Sequence, residues 1–83
     1  MYTSTILIRA ILHRKGLNDD IADCFLRARL FNLTNEDKLD IQCYVANGMN
    51  KNEAIKKHIS IKKQILFNKL TSGHYDNLLS YYR

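Results

Sequence analysis

Proline and tryptophan are absent from this chain, and glycine occurs only three times, at Gly16, Gly48 and Gly73. Each glycine follows a stretch with helical spacing, which suits the left-handed residue that often ends a helix. No low-complexity, repetitive or linker-like segment divides the sequence. The 83 residues are therefore expected to form a single domain, 1–83, with a modest core.

Long hydrophobic runs are also missing. No stretch approaches the roughly 20 apolar residues that span a bilayer. The apolar stretch TILIRAIL, residues 5–12, is interrupted by Arg9, and no small-residue cleavage site of a signal peptide follows it. We therefore expect a soluble, intracellular protein without a membrane partner.

Cysteine and histidine are scarce and scattered. Cys24 and Cys43 form no C-x-x-C pair and fall among apolar residues, so both are interpreted as small buried hydrophobes in a reducing compartment. His13, His58 and His74 lack ligand spacing, so no metal is expected, and His58 is expected to pack in the core or a turn.

The residue combinations that catalysis needs are missing as well. The sequence offers no paired carboxylates, no nucleophile with a supporting base and no glycine-rich phosphate loop. Asp19, Asp20 and Asp23 cluster, but a helix N-terminus explains them. We expect no enzyme, no cofactor and no small-molecule substrate.

The positive charge is concentrated in the second part of the chain. Residues 1–48 hold six basic and six acidic side chains and are formally neutral. Residues 49–83 hold seven basic and two acidic ones, so the whole formal net charge of +5 lies there. A localised basic surface attracts polyanions, and nucleic acid is the leading interpretation. A merely solvated surface and an acidic lipid or protein partner are the alternatives.

Apolar spacing predicts an all-α fold of five to six short helices, because no segment alternates with period two for long. Asn18, Thr34 and Asn50 are the predicted helix caps, and Asn50 opens a capping box with Glu53. The Ile6–Ile8 run could instead form a short strand. Six segments are predicted. The first covers about residues 4–15, the second begins at 18, the third covers 34–48, and the fourth begins at 50 and is about eight residues long. The fifth runs from about 60 or 61 to 70, and the sixth, 74–83, is a helix or a tail.

Side-chain spacing also predicts which surfaces are covered. The third helix carries two apolar stripes, so we expect neighbours to cover most of it. These stripes are Leu39, Cys43 and Ala46, and Ile41, Tyr44 and Val45. The last segment has a 3-4-7 pattern that suits either a lid on the core or a self-association surface. Its residues are Tyr75, Leu78, Leu79 and Tyr82.

The fourth and fifth segments, about residues 50–70, have the spacing of a helix-turn-helix. Two short helices are separated by three or four residues, and Ala54 lets them approach. The second helix would lie in or along a DNA groove while the first crosses behind it. Ile65 or Leu66 would take its central buried position.

The stretch LTNEDKLDIQCYVANGMNKNEAIKKHIS, residues 33–60, resembles the start of a LuxR-type DNA-binding domain, although one extra residue before Ala46 breaks that match. The chain is more similar to the PapB/FaeB group of fimbrial adhesin regulators. The motifs that carry this resemblance are YVANG at 44–48, NKNEAI at 50–55 and NLLSYYR at 77–83. Ile55 stands where that family has cysteine.

This resemblance implies a transcription regulator of fimbrial or adhesin genes that assembles as a homo-oligomer on A/T-rich double-stranded DNA, in the bacterial cytoplasm at the nucleoid. Lysines would then contact phosphate and sense groove width. The predicted DNA-binding residues are Lys51, Asn52, Lys62, Lys63, Gln64, Asn68 and Lys69. Lys56 and Lys57 are expected to face solvent.

A non-catalytic protein-interaction module is the alternative. It would keep the helical hairpin and dock on another regulator through the fifth helix and the tyrosine tail. Salt separates the two hypotheses, because lysine–phosphate binding weakens steeply as salt rises and an apolar interface does not.

Overall fold

The computed structural model describes residues 4–82, and within them the chain forms an all-α bundle, as predicted. Five α-helices and one π-helix (π1) follow one another, and no strand occurs in this range. The predicted tail motif ends on Arg83, which lies outside the described residues. The elements are α1 Thr5–Arg14, α2 Asp19–Leu26, π1 Arg27–Phe31, α3 Asn35–Ala46, α4 Lys51–Thr71 and α5 Asp76–Ser80.

The helix starts are set by side chains that satisfy the free backbone N–H groups of the first turn. Asn18 Oδ1 accepts from Ile21 N at 2.9 Å, and Asn50 Oδ1 accepts from Asn52 N at 2.8 Å. Thr34 and Asp37 form a reciprocal capping box at the start of α3. The three predicted cap residues are confirmed, and α1 replaces the alternative strand. The predicted capping box of Asn50 with Glu53 is wrong, because the Asn50 side chain accepts from Asn52 N and not from the N–H of Glu53.

The core lies at one end of the molecule. It joins α1, α2, π1, the C-terminal half of α4 and α5. Arg29 covers its edge, with its guanidinium 5.4 Å from the Phe25 ring centre and 5.5 Å from that of Tyr75. The fully buried large side chains are Ile8, Leu12, Leu30, Leu70 and Leu79.

The predicted turn within residues 50–70 is wrong, because α4 runs unbroken for 21 residues. The apolar stripe changes direction along this helix. Ala54 and His58 are buried in its first half, and Leu66 and Leu70 in its second. The first half packs on α3 and the second on the core, so one helix with two neighbours has the apolar pattern of two helices. Leu66, not Ile65, takes the buried position.

The actual hairpin is α3 and the first half of α4, joined by residues 47–50. Gly48 closes α3 with a φ of 98°, a left-handed conformation that glycine adopts without strain. This hairpin projects from the core and accounts for the elongated shape, 44 Å by 26 Å by 21 Å.

The expectation that α3 is mostly covered is wrong. Ile41 is its one buried residue, while Leu39 is 60% exposed and Val45 is exposed as well. Cys24 and Cys43 are also exposed, so the interpretation of both as buried hydrophobes is wrong. Only one side of α3 meets α4, and no other described element covers the opposite side.

The C-terminal segment is a lid on the core. Leu79 is completely buried, so its predicted role in oligomerisation is wrong. Tyr75 and Leu78 pack against the core, and Lys15 Nζ pairs with Asp76 Oδ1 at 2.8 Å. Of the four residues predicted for self-association, Tyr82 keeps a large exposed fraction.

Candidate nucleic-acid interface

The predicted DNA-binding side chains all lie on α4, but not on one side of it. Residues seven apart share a side of an α-helix, as Lys62 and Lys69 do. Gln64 and Asn68 form another pair, in which Gln64 Nε2 donates to Asn68 Oδ1 at 3.2 Å. Lys63 points in a third direction. The seven residues therefore do not form one continuous contact surface.

Lys62 is held by an acidic partner. Its Nζ lies 2.9 Å from Asp37 Oδ2, and the two side chains are 19% and 13% exposed. The Asp37 carboxylate already neutralises this ammonium group, so a DNA phosphate would have to displace it. Lys62 links α3 to α4 and is a structural residue in this arrangement.

His58 completes the same cluster. The buried imidazole Nε2 lies 2.7 Å from Asp37 Oδ1, and it donates because an ionised carboxylate only accepts. The expectation that His58 packs internally is confirmed. Hydrogen bonds from Lys62, then from the Thr34 backbone, hold the pKa of Asp37 well below its usual range, against the opposing effect of desolvation.

Lys57 is also engaged within the hairpin. Its Nζ lies 4.9 Å from the centre of the Tyr44 ring on α3, a cation–π contact at the exposed edge of the α3–α4 interface. The ammonium group stays accessible to solvent, as expected for Lys57, but it points along the side of the hairpin that α3 occupies.

The side of α4 opposite α3 carries a second set of polar residues. Lys56 precedes buried His58 by two residues, which places it about 200° away around the helix axis. Lys63 follows buried Ala54 by nine residues, a rotation of about 180°. Together with Asn52 and Ser60, which continue the same spacing of three or four residues, they form what we call the outer face of α4, namely Asn52, Lys56, Ser60 and Lys63.

Neither lysine of the outer face forms an ion pair with any residue in the range 4–82. Asn52, Lys56 and Ser60 are exposed, and Lys63 is partly exposed. Lys51 is exposed beside the first turn of α4, where unpaired backbone N–H groups add positive potential. The outer face is thus a polar, cationic strip on a continuous helix.

Sequence reasoning placed Asn52 and Lys63 at the interface but left Lys56 out. The signal that joins them is the spacing 52, 56, 60 and 63, which puts neighbours three or four residues apart on one side of a helix. Residues at this spacing share one side only if residues 51–71 form one helix. The turn expected within residues 50–70 divided them between two helices, so the shared side was not recognised.

Comparisons with known proteins give no relative for this chain: no protein-family model, no curated protein and no solved structure matches it. Within residues 4–82, no group of three His, Cys, Asp or Glu side chains is placed to hold a metal ion. In that same range no helix is both long and apolar enough to cross a membrane.

Proposed function

We propose that this protein is a DNA-binding transcription regulator that contacts phosphate through the outer face of α4. The observation that carries this proposal is the cationic strip opposite α3, on a helix in which Lys57 and Lys62 instead interact within the hairpin. Cations without a protein partner are available to neutralise phosphate and release its counterions. A rigid helix also fixes their spacing before any partner arrives.

The uninterrupted α4 changes how DNA would be bound. No turn divides residues 51–71, so this segment supplies no short recognition helix crossed by a supporting helix. The outer face would lie along the sugar–phosphate backbone and respond to groove width, which favours A/T-rich DNA through shape. Regulation of fimbrial or adhesin genes, at the nucleoid, rests on the resemblance to the PapB/FaeB group.

A protein-interaction module is the second candidate, and the exposed side of α3 favours it. Leu39, Cys43 and Ala46 form a stripe at helical spacing that no described residue covers. A partner seated there would bury apolar area and would bind with little dependence on salt.

A titration of A/T-rich and G/C-rich duplexes with the full chain tests the proposal. We expect tighter binding to the A/T-rich duplex, weakened in the variant Lys56→Ala/Lys63→Ala. The matched control is Arg14→Ala/Lys38→Ala, which removes the same charge from α1 and α3 and should bind as the wild type does. Equal affinity of both double variants, or no binding at low salt, would contradict the proposal.

A further inference from the structure

A groove runs along the exposed side of α2 and π1. Its first part, about 510 Å³, lies between α2 and the C-terminal residues Leu78 and Tyr82. A second hollow of about 440 Å³ extends to Phe31. Cys24 and Ala28 line both hollows, so the two parts form one continuous groove with small residues at its middle.

Aromatic side chains stand at the two ends of this groove. Phe31 is 50% exposed and Tyr82 is 46% exposed. Near Tyr82 the wall is apolar, with Ile21 and Leu78 beside it. An apolar groove that ends in exposed aromatic rings is typical of a surface that another chain covers.

Two charges flank Cys24 on the same surface. Asp20 precedes it by four residues and Arg27 follows it by three, so all three share one side of the helix. Asp20 and Arg27 are exposed, and neither pairs with a charged group in the range 4–82. By contrast, Asp23 on the adjoining side is bound by Arg9.

The arrangement of Asp20 and Arg27 on either side of Cys24 is complementary to the same arrangement in an antiparallel second copy. If two copies lie antiparallel with Cys24 at the centre, Asp20 of each copy faces the partner's Arg27. A two-fold axis produces this pairing twice, as isologous interfaces require. The small side chains Cys24 and Ala28 allow the helices to approach closely.

We propose that the α2–π1 groove is the interface with a second copy of this chain, packed antiparallel about a two-fold axis beside Cys24. In that arrangement Phe31 of each copy lies toward the Ile21–Tyr82 end of the partner's groove. The interface leaves the outer face of α4 unused, so self-association does not depend on DNA binding and remains testable if the proposed function fails.

Charge-reversal substitutions test the pairing of Asp20 with the partner's Arg27, with the dimer Kd measured by sedimentation velocity. Asp20→Arg or Arg27→Asp alone turns two attractive contacts into two repulsive ones, and each should raise the dimer Kd about tenfold. The double variant Asp20→Arg/Arg27→Asp restores opposite charges across the axis and should return the Kd close to the wild-type value. A double variant as weak as either single variant would overturn the proposal, as would a wild-type chain that is monomeric at every concentration.

A matched control separates the interface from helix stability. Arginine near a helix N-terminus is unfavourable in itself, because it opposes the helix dipole. Glu36 occupies the same position of α3, second in the helix, that Asp20 occupies in α2. Glu36→Arg therefore carries the same dipole penalty and net-charge change and should leave the dimer Kd unchanged, with Tm measured for each variant. A Kd raised as much by Glu36→Arg would contradict the specific pairing.

The two exposed cysteines provide an independent test of position. A short bismaleimide should cross-link two copies through Cys24, which lies at the proposed axis, and the variant Cys43→Ser should cross-link as efficiently as the wild type. Cys24→Ser should abolish the cross-linked dimer. Cross-linking that instead requires Cys43 would place the contact on α3 and overturn the proposal.

Discussion

Asp37 holds the hairpin together, and replacing it should detach α3 from α4. Its carboxylate accepts from Lys62 at 2.9 Å, from His58 at 2.7 Å and from the Thr34 backbone N–H at 2.8 Å. Removing one partner from a fully buried ion pair costs about 3–5 kcal/mol, because the other charge is left without compensation. This cluster retains some solvent contact, so we expect Asp37→Ala to lower the free energy of unfolding by about 3 kcal/mol.

Urea denaturation followed by far-UV circular dichroism measures that loss. The urea concentration at the unfolding midpoint should fall, while the slope of the free energy of unfolding against urea concentration stays constant. Asp40→Ala is the matched control, since Asp40 is an exposed acid on the same helix without an ion pair in the described range. It should change stability by less than about 0.5 kcal/mol. Amide hydrogen exchange should accelerate in α3 more than in α1 when Asp37 is replaced.

The contribution of Asp37 to the free energy of unfolding should change with pH in one direction. The folded-state pKa of Asp37 lies below its unfolded value, so its stabilisation is fully present above about pH 4 and is lost as the pH falls through the lowered pKa. The stability difference between wild type and Asp37→Asn should therefore shrink in acid. A difference that stays constant in acid, or an Asp37→Ala variant as stable as Asp40→Ala, would refute the structural role assigned to this cluster.

Further variants test other features of the structure. Leu79→Ala should cost about 2–5 kcal/mol in thermal or urea unfolding because it empties a buried site, whereas a negligible cost would contradict the C-terminal lid. Gly48→Ala should destabilise by about 1–2 kcal/mol through backbone strain alone, since no atom lies within 4 Å of the added Cβ, and the same unfolding assay checks it. At concentrations where the chain is monomeric, Cys24 and Cys43 should be alkylated at similar rates, as measured by mass spectrometry, and protection of either thiol in the monomer would contradict its exposure. Lys62→Met should lower stability while leaving duplex affinity nearly unchanged, and a large loss of affinity in the folded variant would place Lys62 on DNA.

Local signals in the sequence predicted the helix starts, because a cap depends on one side chain and the next few backbone groups. Asn18, Thr34 and Asn50 all cap their helices as expected, although Asn50 does so without the predicted capping box. Helix ends at Gly16, Gly48 and Gly73 follow from the same local chemistry, and all three glycines have positive φ. The all-α class could therefore be read from the sequence.

Features that depend on neighbouring elements could not be read in this way. The change of buried side along α4 arises because two different neighbours cover it, and this produced the false turn. On α3, the stripe of Leu39, Cys43 and Ala46 is as apolar as the buried side, so spacing alone did not show which side α4 covers. Asp37 lies in the first turn of α3, where an acidic residue favours any helix, so only the structure could show its contacts with His58 and Lys62, 21 and 25 residues away.

The salt dependence of duplex binding measures directly how many phosphate contacts the outer face of α4 makes. Each lysine–phosphate contact contributes about 0.9 to the slope of log K against log salt concentration on B-DNA. If the outer face of α4 contacts phosphate, Lys56→Ala/Lys63→Ala should make this slope shallower by about 2, and Arg14→Ala/Lys38→Ala should leave it unchanged. Equal slopes for the wild type and Lys56→Ala/Lys63→Ala would show that the outer face of α4 does not contact phosphate.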